Sequence, residues 1–252
     1  MASRAVRRWL PNQHGAWAML VVPFLTGMFL GAPTPWHAVL LLAWLLGYLA
    51  TFHVQQWLRL RRHSRNPRAA QRHALPAQVF LLALLPLAVA LVVHAPWLLA
   101  AGACAVPFLA VNCAYAWRNR ERALPNGIAA VIPACGMLPV ALLMGGGDLG
   151  HAWRPTLACL LYFAGTVLYV KTMIRERGSS PYRWASAVWH AGAVAVTFGI
   201  HMPVTLVVFF GVCFLRAVWM PTRGRVRAPV VGALEMALSL ALLGALVATY
   251  GG

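Results

Sequence analysis

The sequence predicts an all-α fold, a polytopic bundle of transmembrane helices, on three observations. Apolar residues make up 61% of the 252 residues and charged ones only 10%, whereas soluble domains carry about 25% charged residues. The apolar residues come in runs of about 20, the length that crosses a hydrocarbon core of about 30 Å. The basic residues collect in alternate gaps between those runs, the asymmetry that marks the cytoplasmic side of a membrane protein. A chain built this way forms one transmembrane domain over 1–252 and leaves no room for a soluble one.

Nine spans follow in order, at His14–Gly31, Trp36–Leu58, Leu75–Val93, Pro96–Trp117, Pro125–Met144, Thr156–Met173, Trp184–Ile200, Pro203–Met220 and Ala228–Tyr250. The turns at Ala32–Pro35, His94–Pro96 and His201–Pro203 are very short, so the helices they join are antiparallel neighbours. The first run follows Arg4, Arg7 and Arg8 as a signal peptide's would. However, Leu30 stands where a cleavage site needs a small residue, Pro33 follows Ala32, and further spans come after, so it reads as a retained helix.

With the N-terminus in the cytoplasm, the inner segments hold Arg4, Arg7 and Arg8, the arginines of Arg59–Arg72, and Arg118, Arg120 and Arg122. Further along they hold Lys171, Arg175, Arg177 and Arg183, then Arg216, Arg223, Arg225 and Arg227. Of the 21 basic residues only Arg154, beside Asp148 and His151, falls outside. Eight or ten spans would destroy this segregation, so the charges support both the count and the orientation. The net charge of +17 is therefore no nucleic-acid signal. Arginines dispersed among short loops sit against the anionic lipid of the cytoplasmic leaflet, at about 1 kcal/mol each. Membrane lipid is the expected partner, and nucleic acid is not.

Chemistry-bearing side chains cluster at the inner ends. At the entry to the first span, Asn12 suits a helix cap and His14 is more polar than interfacial anchoring requires. His53 and Gln56, three residues apart, end the second span within the membrane region, where polar groups need partners and face the bundle interior. Asn112, Tyr115 and Asn119 form a stripe at the end of the fourth span. Glu121 lies among Arg118, Arg120 and Arg122, which neutralise it locally, and Asn126 opens the fifth span. At the end of the sixth, Lys171 and Arg175 share one helix face, with Thr172 and Glu176 on the next. Such a face either snorkels to lipid phosphates or builds a polar site for an anion. His190 in the seventh span is either a helix-to-helix hydrogen bond or a proton carrier. Glu235, the only acid well inside an apolar run, must be protonated or paired, with Arg216 a candidate partner. Cys104, Cys113, Cys135, Cys159 and Cys213 all fall inside apolar runs without a CxxC pair, and the nine histidines are scattered. Neither pattern indicates a metal or a haem. The inner polar ends together predict a cavity open to the cytoplasm.

Three motifs carry a resemblance. Pro-Asn-Gln-His-Gly-Ala-Trp-Ala-Met-Leu at 11–20, Arg-Asn-Arg-Glu-Arg-Ala-Leu-Pro-Asn at 118–126 and Val-Lys-Thr-Met-Ile-Arg-Glu-Arg-Gly at 170–178 resemble the YwiC-like family of bacterial membrane proteins. The resemblance covers nearly the whole chain and implies a multi-pass protein of the bacterial cytoplasmic membrane. At the level of the scaffold, the chain also resembles the UbiA-type intramembrane prenyltransferases. That likeness implies nine helices with polar clusters where spans two and six reach the cytoplasm, and Tyr115 with Arg118 and Arg120 as a phosphate-holding element. In that family, aspartate-rich motifs at those two places hold Mg²⁺ against an isoprenoid diphosphate. Here His53-Val54-Gln55-Gln56 and Lys171–Glu176 stand in their place, with Glu176 and Glu121 the only carboxylates near. Mg²⁺ takes hard oxygen ligands, so neither a metal nor another cofactor is expected.

Direct charge pairing is the alternative to a metal. Lys171, Arg175, Arg118 and Arg122 would bind a phosphate or carboxylate through charge-assisted bonds. Asn12, His14, Gln56, Asn112, Tyr115 and Asn126 would line the site, and His53, His190 or Glu176 would move a proton. The preferred expectation is a site for the headgroup of an anionic lipid or isoprenoid, with or without transferase chemistry. The alternatives are a small-anion transporter, against which the apolar outer halves of the spans argue, and a non-catalytic membrane accessory protein.

Overall fold

The computed structural model describes residues 9–11, 14–224 and 226–251, the side chains of His14 and Pro67 excepted. Arg4, Arg7, Arg8, Asn12, Gln13 and Arg225 lie outside the described residues, as does the side chain of His14.

The described chain forms nine α-helices and no strand. They are α1 (His14–Leu30), α2 (Pro35–His63), α3 (Pro67–His94), α4 (Leu98–Trp117), α5 (Leu124–Met144), α6 (Trp153–Ile174), α7 (Ser180–Gly199), α8 (Val204–Trp219) and α9 (Ala228–Tyr250). Short 3₁₀ turns at Leu149–His151 and Met220–Thr222 precede α6 and follow α8. Each expected span has a helix on it. Seven of the nine, all but α1 and α7, are long and apolar enough to cross a membrane. In α1, 17 residues are helical. On α7 the polar residues Ser186, His190 and Thr197 lower the hydropathy while being buried.

Two helices run past the expected ends for local reasons. Nothing breaks α2 before Ser64, so it runs on through Arg59, Arg61 and Arg62 to His63. Asn66 caps α3, its side chain accepting from the Arg68 backbone N–H at 3.0 Å, and Pro67 fills the first turn. α3 therefore begins well before its apolar run, because a proline there lacks only an N–H that is orphaned in any case.

Contacts within the chain cluster into two compact units, one of Met1–Gln13 and Pro33–Pro133, the other of His14–Ala32 and Ala134–Gly252. In the first unit, α2 packs along α3 and also against α4. Trp36 at the start of α2 stacks on His94 at the end of α3, ring centroids 3.9 Å apart, so the two helices are antiparallel. The outward faces of α3 and α4 are apolar, with Leu82, Leu85, Val93, Leu99 and Val106 all exposed. A water-soluble bundle would not tolerate that surface, whereas lipid does.

In the second unit, α9 packs along α1, and α6 contacts α7, α9 and α1. α6 supplies much of the core, from Ala158 and Cys159 through Tyr162 and Leu168 to Tyr169 and Met173. α7 is inverted relative to a helix in water. Its buried stripe is Ser186, His190, Ala193 and Thr197, while Trp184, Val188 and Phe198 face outward. Small residues set the closest approach in this unit: a Cβ on Gly27 of α1 would lie 2.1 Å from the backbone carbonyl oxygen of Leu138 on α5.

Candidate functional site

Among the described residues, polar side chains gather at four places, two in the first unit and two in the second. In the first unit, one group of polar residues fastens the α4–α5 turn to the end of α2. Arg59 pairs with Glu121, and its other terminal nitrogen donates to Gln56 Oε1 at 2.6 Å. Asn126 Nδ2 donates to the Glu121 backbone carbonyl at 2.7 Å. Asn112 Nδ2 in turn donates to Asn126 Oδ1 at 2.8 Å and to its carbonyl at 3.1 Å. His63 Nε2 donates to the Trp117 carbonyl at 2.9 Å, and the Arg62 guanidinium lies 4.9 Å from the Trp117 ring centroid. Gln56, Asn112 and Asn126 thus meet one another's elements and hold a turn. Asn119 departs from the expected stripe. α4 ends at Trp117, and Asn119 takes the left-handed conformation at φ 54°, one that Asn tolerates better than most residues. Tyr115 is half-buried on the last turn of α4, and Arg118 and Arg122 are exposed.

His53 is fully buried. Its Nε2 lies 3.1 Å from the Trp9 carbonyl and its Nδ1 lies 2.9 Å from His73 Nδ1. A carbonyl only accepts, so Nε2 of His53 carries the proton. A neutral His53 then accepts at Nδ1, and His73 Nδ1–H donates. The Phe52 and Phe80 rings pack against His53, so a buried imidazole is bonded to a partly exposed one.

The second unit holds a pocket of about 320 Å³ lined by Thr172, Met173, Arg177, Gly178, Arg183 and Pro221. The end of α6, the α6–α7 turn, the first turn of α7 and the 3₁₀ turn after α8 supply its walls. Gly178 makes the turn possible, at φ +84°, where a Cβ would be strained. Arg177 donates to the Gly224 carbonyl. Thr172 Oγ1 lies 2.9 Å from the Leu168 carbonyl and 3.2 Å from that of Tyr182. Of the expected cations, Lys171 Nζ lies 5.7 Å from the Tyr182 ring centroid, and Arg175 is exposed at the C-terminal cap of α6. Glu176 is half-buried in the turn, its N–H bonded to the Lys171 carbonyl at 2.8 Å. The arginines in the pocket wall are Arg177 and Arg183, which in the sequence look like inner flanking charge and nothing more.

Deeper in the same unit is a buried ionic cluster. Arg216 of α8 pairs with Glu235 of α9, both side chains 6% exposed. Thr166 Oγ1 donates to Glu235 Oε2 at 2.8 Å. Tyr162 Oη lies 3.5 Å from the same oxygen and 3.2 Å from Ser239 Oγ. His190 Nδ1 donates to the Ser186 carbonyl at 2.7 Å, which leaves Nε2 to accept from Arg216 at 3.4 Å. The Tyr169 ring lies under the guanidinium, 4.1 Å from centroid to Cζ. Gly165 admits His190 to the surface of α6, since a Cβ there would meet its Nε2 at 3.0 Å. Arg216 is thus the partner that the lone acid Glu235 demands. Its α6 partners Tyr162, Thr166 and Tyr169 are not evident from the sequence by residue type, although their spacings of four and three put them on one helix face.

The donor set of the pocket, one hydroxyl and two guanidinium groups, does not suit Mg²⁺, which takes carboxylate oxygens. Among the described residues no three His, Cys, Asp or Glu side chains gather where they could hold a metal ion.

No solved structure matches this chain. Among curated proteins it is similar to "Uncharacterized protein YwiC" of Bacillus subtilis (strain 168), with 36% identity over 182 residues, covering 72% of this chain and 73% of that protein. It is also similar to an "Uncharacterized protein" of Haemophilus influenzae, with 30% identity over 249 residues, 91% of this chain and 93% of the relative. Residues 10–142 match the family described as YwiC-like protein, and with these relatives the match establishes that the chain belongs to the YwiC-like family of helical, multi-pass membrane proteins.

Proposed function

We propose that this protein binds the phosphate-bearing headgroup of an anionic lipid in the pocket at the α6–α7 turn, on the cytoplasmic face of the inner membrane. The observation that carries the reading is a pocket with two arginines in its wall, Arg177 from the turn and Arg183 from α7, and no carboxylate. Two guanidinium forks around one hollow suit a phosphate group, which accepts paired N–H donors. The surroundings favour a lipid over a free ion, because Ile174 and Trp184 stand exposed beside the pocket's own segments and offer an apolar track for a tail. Both arginines belong to the basic segments that the charge asymmetry assigns to the cytoplasm.

Native mass spectrometry of the detergent-extracted protein tests this, with phosphatidylglycerol, farnesyl diphosphate and inorganic phosphate added in separate arms. Retention of phosphatidylglycerol is expected, with a loss of about tenfold for Arg177→Ala and again for Arg183→Ala, the worth of one charge-assisted bond. Preference for farnesyl diphosphate would assign the site to an isoprenoid, and preference for inorganic phosphate to a free anion. Equal retention by wild type and both variants would remove the site.

A further inference from the structure

The pocket at the α6–α7 turn is rich in donors and poor in acceptors. Arg177 and Arg183 are the charged side chains in its wall, and Thr172 brings the one side-chain oxygen. The Thr172 hydroxyl faces the carbonyls of Leu168 and Tyr182, which take up its proton. Arginine only donates and keeps its charge at every ordinary pH. Among the described residues the ion pairs join Arg59 to Glu121, His151 to Asp148 and Arg216 to Glu235, so neither pocket arginine is neutralised by a carboxylate. Arg177 is fixed through the Gly224 carbonyl, and a guanidinium has further N–H groups to offer. The stretch Lys171–Arg183 carries four basic residues against one acid, Glu176.

We infer that the pocket is selective for a phosphomonoester headgroup in its dianionic form, as in phosphatidic acid, over the phosphodiester headgroups of other membrane lipids. This rests on the pocket being an anion site and adds which phosphate it takes. Charge is the first reason. A phosphomonoester carries close to two negative charges near neutrality, a match for two guanidinium groups, whereas a diester carries one. Hydrogen bonding is the second. The ionised monoester only accepts, as a wall of donors requires. A glycerol headgroup adds hydroxyl donors, and an ethanolamine headgroup adds an ammonium that meets two cations and no carboxylate. Size is the third. At about 320 Å³ the hollow is at the small end of ligand pockets, which run from about 300 to 1,000 Å³, and a bare phosphate is the smallest headgroup of a phospholipid.

The preference has a sign with pH. A phosphomonoester loses its second proton at a pKa of about 6, and guanidinium groups beside it favour the ionised form. The bound lipid therefore holds fewer protons than the free one, and binding tightens as pH rises through that range. The neighbouring charged or titratable side chains are Lys171, Arg175 and Glu176 at the end of α6, Tyr182 on α7 and Arg223 beyond Pro221. Lys171 and Arg223 lie against the rings of Tyr182 and Trp219. The described lining holds no histidine. Any effect of these neighbours falls equally on a diester lipid, which has no second proton to lose. The ratio of the two affinities therefore isolates the ligand's own proton.

Calorimetric titration of the full chain in detergent tests this, with dihexanoyl phosphatidic acid, dihexanoyl phosphatidylglycerol and glycerol 3-phosphate as probes, from about pH 5 to 8. At the upper end phosphatidic acid is expected to bind about tenfold tighter than phosphatidylglycerol, the worth of one further charge-assisted bond. Glycerol 3-phosphate, without a tail, is expected to bind more weakly than phosphatidic acid. The ratio of the two lipid affinities should fall about fivefold towards the lower end, because a tenfold preference for the dianion moves the bound phosphate's pKa from about 6 to about 5. Arg177→Ala and Arg183→Ala, both at exposed side chains, should each bring the ratio close to one. Arg183→Lys, which keeps the charge, should keep the pH dependence. Equal affinity for the two lipids, lost in both alanine variants, overturns the monoester selectivity and leaves the headgroup site standing. A preference for phosphatidic acid with a pH-independent ratio overturns the dianion as its basis. A preference that survives both alanine variants overturns the pocket as its source. Glycerol 3-phosphate binding as tightly as phosphatidic acid upholds the monoester and overturns the lipid. Binding of none of the three overturns both readings.

Discussion

Arg59 is ion-paired with Glu121 across 62 residues of chain, although Glu121 has arginines on both sides of it in sequence. The pair ties the end of α2 to the α4–α5 turn and is partly open to solvent, at 25% and 20% side-chain exposure. Ion pairs of that exposure are worth about 1 kcal/mol or less. Glu121→Gln should destabilise the protein by about that amount, Arg59→Met by somewhat more because its bond to Gln56 goes too, and the double variant by no more than Arg59→Met alone, since the ion pair is counted once. Thermal unfolding in detergent measures this. Arg120→Ala serves as the control and should leave the melting temperature in place.

Gly27 is expected to be intolerant of any side chain. Its Cβ would lie 2.1 Å from the Leu138 carbonyl oxygen, and backbone cannot rotate aside as a side-chain tip would. Gly27→Ala should cost about 3 kcal/mol, the upper part of the range for overpacking. At Gly102 in α4 a methyl group would meet nothing within 4 Å, so Gly102→Ala should be neutral or slightly stabilising, as the higher helix propensity of Ala implies. The contrast is read from melting temperature and from the yield of monodisperse protein.

The helices are legible in the sequence because a span needs only an apolar run of the right length, and each such run holds a helix. Their polar ends are not, because caps and not hydropathy set them: Ser64 and Asn66 decide where α2 stops and α3 starts. The site is legible in part. Glu235 stands out as a lone acid in an apolar run, which is costly enough to demand a partner, and Arg216 is that partner. Asn112 and Asn126 stand out as polar residues at helix ends, yet their hydrogen bonds hold the α4–α5 turn. Residue type signals that a partner exists without saying whether it is protein or ligand. Arg177 and Arg183 do not stand out, since a loop arginine looks the same whether it lines a pocket or faces the lipid surface.

The His53–His73 bond predicts a specific rescue. His73→Leu leaves Nδ1 of a fully buried His53 without its donor, at a cost of about 1–3 kcal/mol for an orphaned polar group. His73→Asn places an N–H near the position of the imidazole Nδ1–H and should recover most of the loss. Melting temperatures rank the three proteins. Nitrogen-15 chemical shifts of the two imidazoles test the tautomers directly, with the proton expected on Nε2 of His53 and Nδ1 of His73. A doubly protonated His53 at neutral pH would contradict the arrangement.

The buried pair makes the sharpest energetic prediction, because removing one half leaves the other's charge uncompensated while removing both does not. Arg216→Met leaves the Glu235 carboxylate with hydroxyl partners and no cation, at 6% exposure. Breaking a buried pair in this way costs about 3–5 kcal/mol. Replacing both residues removes the uncompensated charge, and apolar substitutes for buried pairs are often close to neutral. Arg216→Met combined with Glu235→Met should therefore melt near wild type, well above either single variant. A purely additive result, with the double variant the least stable of the three, would mean that the two side chains do not balance each other's charge.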